Sequence, residues 1–183
     1  RVWLEGFSRG LAEVCNALGA PLVGGDTTRG SLSLTVTVLG STPADRFLTR
    51  SGAQPGDRLC VSGTLGDAAA GLAVLSEQLA VDESVAAFLT TRYKRPAARL
   101  ALGEALRSCA TSCIDVSDGL LADAAHVATA SGVGLEIDSV LLPLSEAMGS
   151  LADSERSLNW ALAGGDDYEL LFTLPSSMPL PSG

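Results

Sequence analysis

Aromatic side chains are scarce, 4% of 183 residues, so a core must be filled by Ala, Leu, Val and Gly within a 46% hydrophobic complement. Small side chains suit close helix-to-sheet packing, which favours an α/β chain over an all-β one. Positive charge is short as well: 12 Lys and Arg face 21 Asp and Glu, a formal net charge of −9. That balance excludes a general nucleic-acid binder, since such proteins neutralise phosphates with clustered cations. An acidic chain that handles phosphates needs divalent cations between its carboxylates and the ligand, so the carboxylates are the place to look for chemistry.

Other absences narrow the field further. No run of about 18 apolar residues is available to span a membrane, and no basic-then-apolar leader opens the chain. The expectation is a soluble, non-membrane protein. Histidine occurs once, at His126, on the helix face away from Leu121, Ala125 and Ala128 and one turn from Asp123, which disfavours a histidine general base. GTLGDAAAG (63 to 71) lacks the GK[ST] ending of a Walker loop and reads as a tight strand-to-helix turn. No GxSxG elbow supports acyl transfer. Cys15, Cys60, Cys109 and Cys113 show no CxxC pairing, and buried reduced thiols in a reducing cytosol are expected.

What is present alternates helical and strand periods. Trp3, Leu4, Phe7, Leu11, Val14, Cys15 and Leu18 repeat at helical spacing up to Gly19, already from the first residues, and Arg1 stands where a Met would open a chain; the expectation is a start inside a larger protein. Alternation predicts strands at 32–38, around Leu59 and Val61, at 112–116, at Val133, Leu135 and Ile137, and from Tyr168 to Leu174. Helices are expected after Gly66, at 82–93, from Pro96 onward with Leu102, Ala105, Leu106 and Cys109 on one face, and after Gly119 with Leu121, Ala124, Ala125 and Ala128 as the buried stripe. A polar stretch from Gly40 to Gly56 marks the domain boundary, giving units 1–42 and 43–183, and the Pro- and Ser-rich tail 175–183 reads as a loop.

The polar motifs fall at strand ends and turns, where α/β folds bind ligands. In IDVSDGL (114 to 120), Asp115 closes a strand and Asp118 sits in the turn to a helix, a pairing suited to shared metal ions on phosphates; helix capping by Ser117 or Asp118 is the equal alternative. GGDTTRG (24 to 30) combines two glycines, Asp26, two hydroxyls and Arg29, which fits a metal-phosphate site and equally a structural turn. GGDDYEL (164 to 170) adds Asp166 and Asp167 in another turn, and Arg50 stands in the polar junction as a phosphate clamp or a solvated charge.

These motifs, with LTRSGAQPGD (48 to 57) and in this order, closely resemble the thiamine-monophosphate kinase family, within the superfamily of aminoimidazole-ribonucleotide synthetase. The resemblance implies an α/β fold in which residues 1–42 end an N-terminal domain and 43–183 form most of a C-terminal one. It implies transfer of the ATP γ-phosphoryl group to thiamine monophosphate, with several Mg²⁺ ions and no covalent intermediate, in a cytoplasmic homodimer. By motif, Asp26, Asp115 and Asp118 would bind Mg²⁺, the Gly25 backbone, Arg50 and Ser117 would contact ATP, and Asp166, where many members carry Glu, would contact the thiamine substrate. Two alternatives stand beside it: a related synthetase with another acceptor, and a folded fragment without catalysis of its own.

Overall fold

The computed structural model describes residues 2–181, so Arg1 and the last two residues of the expected tail loop lie outside the described residues. The chain divides into two compact units, Arg1–Gly40 and Ser41–Gly183.

The first unit is built on helix α1 (Val2–Leu18). Phe7, Leu11 and Cys15, one turn apart, form its half-buried stripe, and Trp3 stacks on Phe7 with ring centroids 5.5 Å apart. Gly19, at φ 62°, ends the helix, and the Ala20 amide returns to the Cys15 carbonyl at 2.9 Å. The strand expected at 32–38 does not form: these residues are exposed and irregular. Their alternation is real, but a strand exists only through a pairing partner, and the first unit offers no second strand among the described residues.

The second unit centres on a three-stranded sheet of order β1 (Arg58–Val61), β3 (Leu170–Leu174), β2 (Ser112–Asp115). Both outer strands run antiparallel to β3, with Cys60 opposite Phe172 and Cys113 opposite that same residue on the other side. Leu171 faces a cluster with Leu65, Val116, Leu120, Ala124 and Ala161. Phe172 and Leu174 face the opposite cluster with Leu106. A central strand covered on both faces reads as a near-continuous apolar run, which LLFTL is.

Among the described residues, five of the seven α-helices fall where the sequence periodicity puts them: α1, α2 (Asp67–Leu75), α3 (Glu83–Lys94), α4 (Leu100–Leu106) and α5 (Leu120–Ser131). Helix α4 begins four residues after Pro96, with Arg99 at its N-cap drawn to Glu169 by hydrogen bonds of 2.7 and 2.6 Å. On α5 the buried stripe is Leu120, Ala124 and Val127, whereas Leu121 is 49% exposed and Ala125 is exposed too. The register is rotated because Leu120 enters directly from the turn and packs beneath the sheet. Helices α6 (Glu146–Gly149) and α7 (Ser154–Ala163) escaped the pattern; α6 is a single turn and α7 is capped by the Asp153 carboxylate on the Arg156 amide.

The strand expected over Val133, Leu135 and Ile137 is absent in a different way from the one at 32–38. These three side chains are half-buried while Gly134, Glu136 and Asp138 are exposed, so the period of two is kept by one-sided packing against the core without any strand pairing. All four cysteines are free and only partly buried, short of the full burial expected. Burial pushes the Cys113 thiol up to about 11, with Asp115 adding to it, so this sulfur is an unreactive filler. No helix among the described residues is long and apolar enough to cross a membrane.

Helices α2 and α3 meet at Gly71, where an added methyl would overlap the Leu89 carbonyl. Gly71→Ala is therefore expected to force the helices apart and to destabilise the unit by about 1–3 kcal/mol, measurable as a lower urea midpoint at unchanged slope.

Candidate functional site

The end of the sheet nearest Asp115 continues past the regular strands as a backbone ladder joining two motifs that lie some fifty residues apart. The Val116 amide donates to the Glu169 carbonyl at 2.8 Å, the Tyr168 amide to the Val116 carbonyl at 2.9 Å, and the Asp166 amide to the Ser117 carbonyl at 3.0 Å. IDVSDGL and GGDDYEL therefore present their polar side chains together. Gly165 lies against the Ser117 carbonyl so closely that a Cβ there would clash with it.

Within the second motif, alternate residues go to different tasks. Asp167 is buried and caps α2: its carboxylate accepts from the Gly66 amide at 2.7 Å and the Ala68 amide at 3.1 Å. Burial pushes its pKa up to about 6, against the pull of those two amides. Glu169, also buried, accepts from Arg99, from Arg92 at 2.8 Å and from the Ser62 hydroxyl at 2.6 Å. Burial raises its pKa and these three donors outweigh that, leaving it below the usual glutamate range. Asp67, with Thr64, Ser145 and Arg92 as partners, completes a buried polar network.

Asp166 and Tyr168 go the other way. Both have positive φ, 67° and 51°, an uncommon setting for non-glycine residues. Tyr168 is 44% exposed, and its phenol donates to Asp166 Oδ1 at 3.3 Å. The negative charge of Asp166 is the main cause that raises the phenol pKa, with lesser contributions from burial, the hydrogen bond, Asp115 and Asp118. Three carboxylates from the two motifs thus act on one phenol.

Ser117 and Asp118 do not cap α5. Gly119 takes the N-cap position at φ 105°, with no side-chain cap bond, and a Cβ there would lie 2.9 Å from the Ala163 carbonyl. Capping is thereby removed as a use for either side chain. The carboxylate that does bond this turn is Asp123, which accepts from both the Ser117 and Asp118 amides at 3.0 Å. In the sequence Asp123 stands out only as a neighbour of His126, and its position in the first turn after DVSDG is the signal for this role. His126 is exposed, as expected, and its ring approaches Asp118 and Asp123, ligand atoms of the three lying within 4.8 Å of one another.

Arg50 stands elsewhere. Its side chain is exposed, and its carbonyl lies 3.5 Å from the Ser131 hydroxyl at the far end of α5. A helix of this length rises about 17 Å, which separates the Arg50 backbone from Asp118. Gly25 and Asp26 belong to the first unit, exposed in an irregular segment where Asp26 Oδ1 accepts from the Thr27 amide at 2.8 Å. An open cleft of about 590 Å³ lined by Leu79, Asp82, Val85, Leu151, Arg156 and Trp160 contains none of these residues.

The donor set suits a hard divalent cation. Asp115 and Asp118 are exposed, offer only oxygen, and form no ion pair with Lys or Arg among the described residues. Mg²⁺ binds through one or two such carboxylates plus water and phosphate oxygens, so the residues present fit it.

The family "AIR synthase related protein, N-terminal domain" matches residues 1–42, and "AIR synthase related protein, C-terminal domain" matches residues 54–175. Over 174 residues the chain is 51% identical to a thiamine-monophosphate kinase of Escherichia coli K12, covering 94% of this chain and 54% of that protein. Among solved structures it is similar to a thiamine-monophosphate kinase from Stenotrophomonas maltophilia K279a, at 42% identity and TM-score 0.66 over 70% of this chain and 42% of that one. It is similar also to AaThiL complexed with AMPPCP and TMP, at 43% identity and TM-score 0.66 over 71% and 43% of the two chains. The chain spans about half the length of the curated relatives it matches.

Two titrations check the electrostatics. Removing the charge with Asp166→Asn is expected to lower the Tyr168 phenol toward the ordinary value of about 10, followed by ultraviolet absorbance in a Tyr93→Phe background. For Asp167 the folded state holds its proton more tightly than the unfolded chain, so its contribution to stability declines as pH rises from 3.8 to about 6. Asp167→Asn is therefore expected to gain melting temperature relative to the parent across that window.

Proposed function

Since this chain belongs to the AIR synthase related proteins, we propose that the whole protein transfers the γ-phosphoryl group of ATP to the phosphate of thiamine monophosphate, giving thiamine diphosphate and ADP. The observation that carries the reading is the backbone ladder joining IDVSDGL to GGDDYEL, which lets Asp115, Asp118 and Asp166 all bear on the Tyr168 phenol, while none of the three forms an ion pair with Lys or Arg among the described residues. The likeness to thiamine-monophosphate kinases along nearly the whole chain supports the acceptor.

Asp115 and Asp118 would hold Mg²⁺ in this reading, and by motif Asp26 in the first unit would be a Mg²⁺ ligand as well. When bound, the cations cancel the repulsion between two polyanions, the main obstacle to phosphoryl transfer between phosphates. The chain's own task is placement. By motif Ser117 would contact ATP, as would the Gly25 backbone and Arg50, although the Arg50 backbone lies at the far end of α5 from Ser117. Asp166 would hold the thiamine moiety, whose thiazolium ring carries a positive charge suited to a carboxylate. The acceptor phosphate is already an anionic nucleophile, so alignment suffices and no catalytic His, Cys or Lys is required. Residues 1–42 end an N-terminal domain and 43–183 form most of a C-terminal one, in a cytoplasmic homodimer.

A coupled assay offering thiamine monophosphate and the acceptors of related synthetases to the whole protein tests the choice, and turnover of another acceptor alone would overturn it. Run on residues 1–183 by themselves, the same assay separates a catalytic piece from a merely folded one. In the whole protein, Asp115→Asn or Asp118→Asn is expected to cut turnover by about 100-fold or more. Melting temperature should hold or rise, because like-charge repulsion is relieved; equal losses of both would point to a structural role.

A further inference from the structure

One buried carboxylate remains outside the roles assigned so far. Asp123 is 2% exposed and sits in the first turn of α5, four residues after Gly119. A helix N-cap ordinarily accepts from amides inside the helix. Asp123 works in the opposite direction: from within the helix, its Oδ2 reaches back to the amides of Ser117 and Asp118, both at 3.0 Å and both outside it. Its own amide donates to the Gly119 carbonyl at 3.0 Å, which ties the carboxylate to the same turn.

The consequence concerns the peptide between Val116 and Asp118. On one side the Ser117 amide is held by Asp123; on the other the Ser117 carbonyl accepts from the Asp166 amide at 3.0 Å. Rotation of this unit would break one or both of these bonds. With Gly119 as a side-chain-free N-cap, the Ser117 hydroxyl and the Asp118 carboxylate are released from local duties and point where the backbone sends them.

We propose that Asp123 is a positioning residue, fixing through the backbone the directions in which Ser117 and Asp118 meet a metal-bound nucleotide. The inference rests on the metal reading of Asp115 and Asp118 but not on the identity of the phosphate acceptor. It concerns geometry and not charge. Asn at this position keeps an acceptor oxygen at the same reach, whereas Glu keeps the charge and displaces the oxygens by one methylene.

The test uses the whole protein with Asp123→Asn, Asp123→Glu and Asp123→Ala, Mn²⁺ serving as the probe. Three readouts are taken: Mn²⁺ affinity by electron paramagnetic resonance, amide exchange at Ser117 and Asp118, and melting temperature. Loss of an outer partner of a metal site costs about 10–100-fold in affinity. Asp123→Glu is expected to weaken Mn²⁺ by at least about tenfold and to speed exchange at both amides, while Asp123→Asn stays close to the parent. Asp123→Ala should follow Glu where it folds, and the Asn and Glu pair decides the matter without it. The opposite order, Glu above Asn, would overturn the proposal by showing that charge is what counts. Mn²⁺ affinity unchanged in every variant, whatever happens to melting temperature, would reduce Asp123 to a helix support. A parent that binds no Mn²⁺ would defeat the metal reading itself, whereas failure with thiamine monophosphate alone leaves Asp123 untouched.

Discussion

Three backbone hydrogen bonds beyond the end of the β2–β3 pair govern the rest of the second unit. Val116 to Glu169, Tyr168 to Val116, and Asp166 to Ser117 are ordinary amide bonds of 2.8 to 3.0 Å, each worth about 1 kcal/mol net. Their importance is geometric. They fix the register between two turns that have no local reason to meet, and a slip of one residue would exchange inward and outward side chains along GGDDYEL. Asp167 and Glu169 would then lose their buried donors, and Tyr168 its exposure.

That alternation explains how four polar residues in a row of five fit one segment. The inward pair meets strong requirements: a buried carboxylate without donors costs several kcal/mol, and Asp167 finds two amides of α2 while Glu169 finds two guanidiniums and a hydroxyl. Those bonds link β3 to α2, α3 and the start of α4. The outward pair has no such obligations and sits instead in left-handed backbone, held there by the ladder and the anchors on either side. Buried, bonded side chains and outward-facing ones thus alternate residue by residue within a single motif.

How much of this was legible follows from the same division. Strands β1, β2 and β3 were legible because each is bounded by turn residues and packs at least one face, and the helices α1 to α5 because apolar spacing survives in them. The segment at 32–38 shares the strand pattern but lacks a partner in its unit, and Val133 to Ile137 shows that the same pattern arises from packing alone. Periodicity reports which side is covered, not whether a backbone is paired. The motif carboxylates Asp115, Asp118 and Asp166 stood out at strand ends and turns. Asp123 did not, because a carboxylate within a helix's first turn looks like a favourable dipole partner, and only coordinates reveal that it reaches backward. The capping alternative for Ser117 and Asp118 likewise needed coordinates to remove, since sequence cannot tell which carboxylate a turn chooses.

The charge balance gives the arrangement its direction. The chain has few cations, and the structure places two of its arginines, Arg92 and Arg99, on a buried glutamate away from the exposed carboxylates. Asp115, Asp118 and Asp166 are thereby left to raise the Tyr168 phenol. Bringing like charges together costs free energy that exposure to water keeps small but not zero. A fold that carries this cost in a rigid, doubly held turn gains from any divalent cation that enters, because the repulsion is relieved without reorganising the ligands. Pre-organisation of this kind is what the proposed phosphoryl transfer between two anions would draw on.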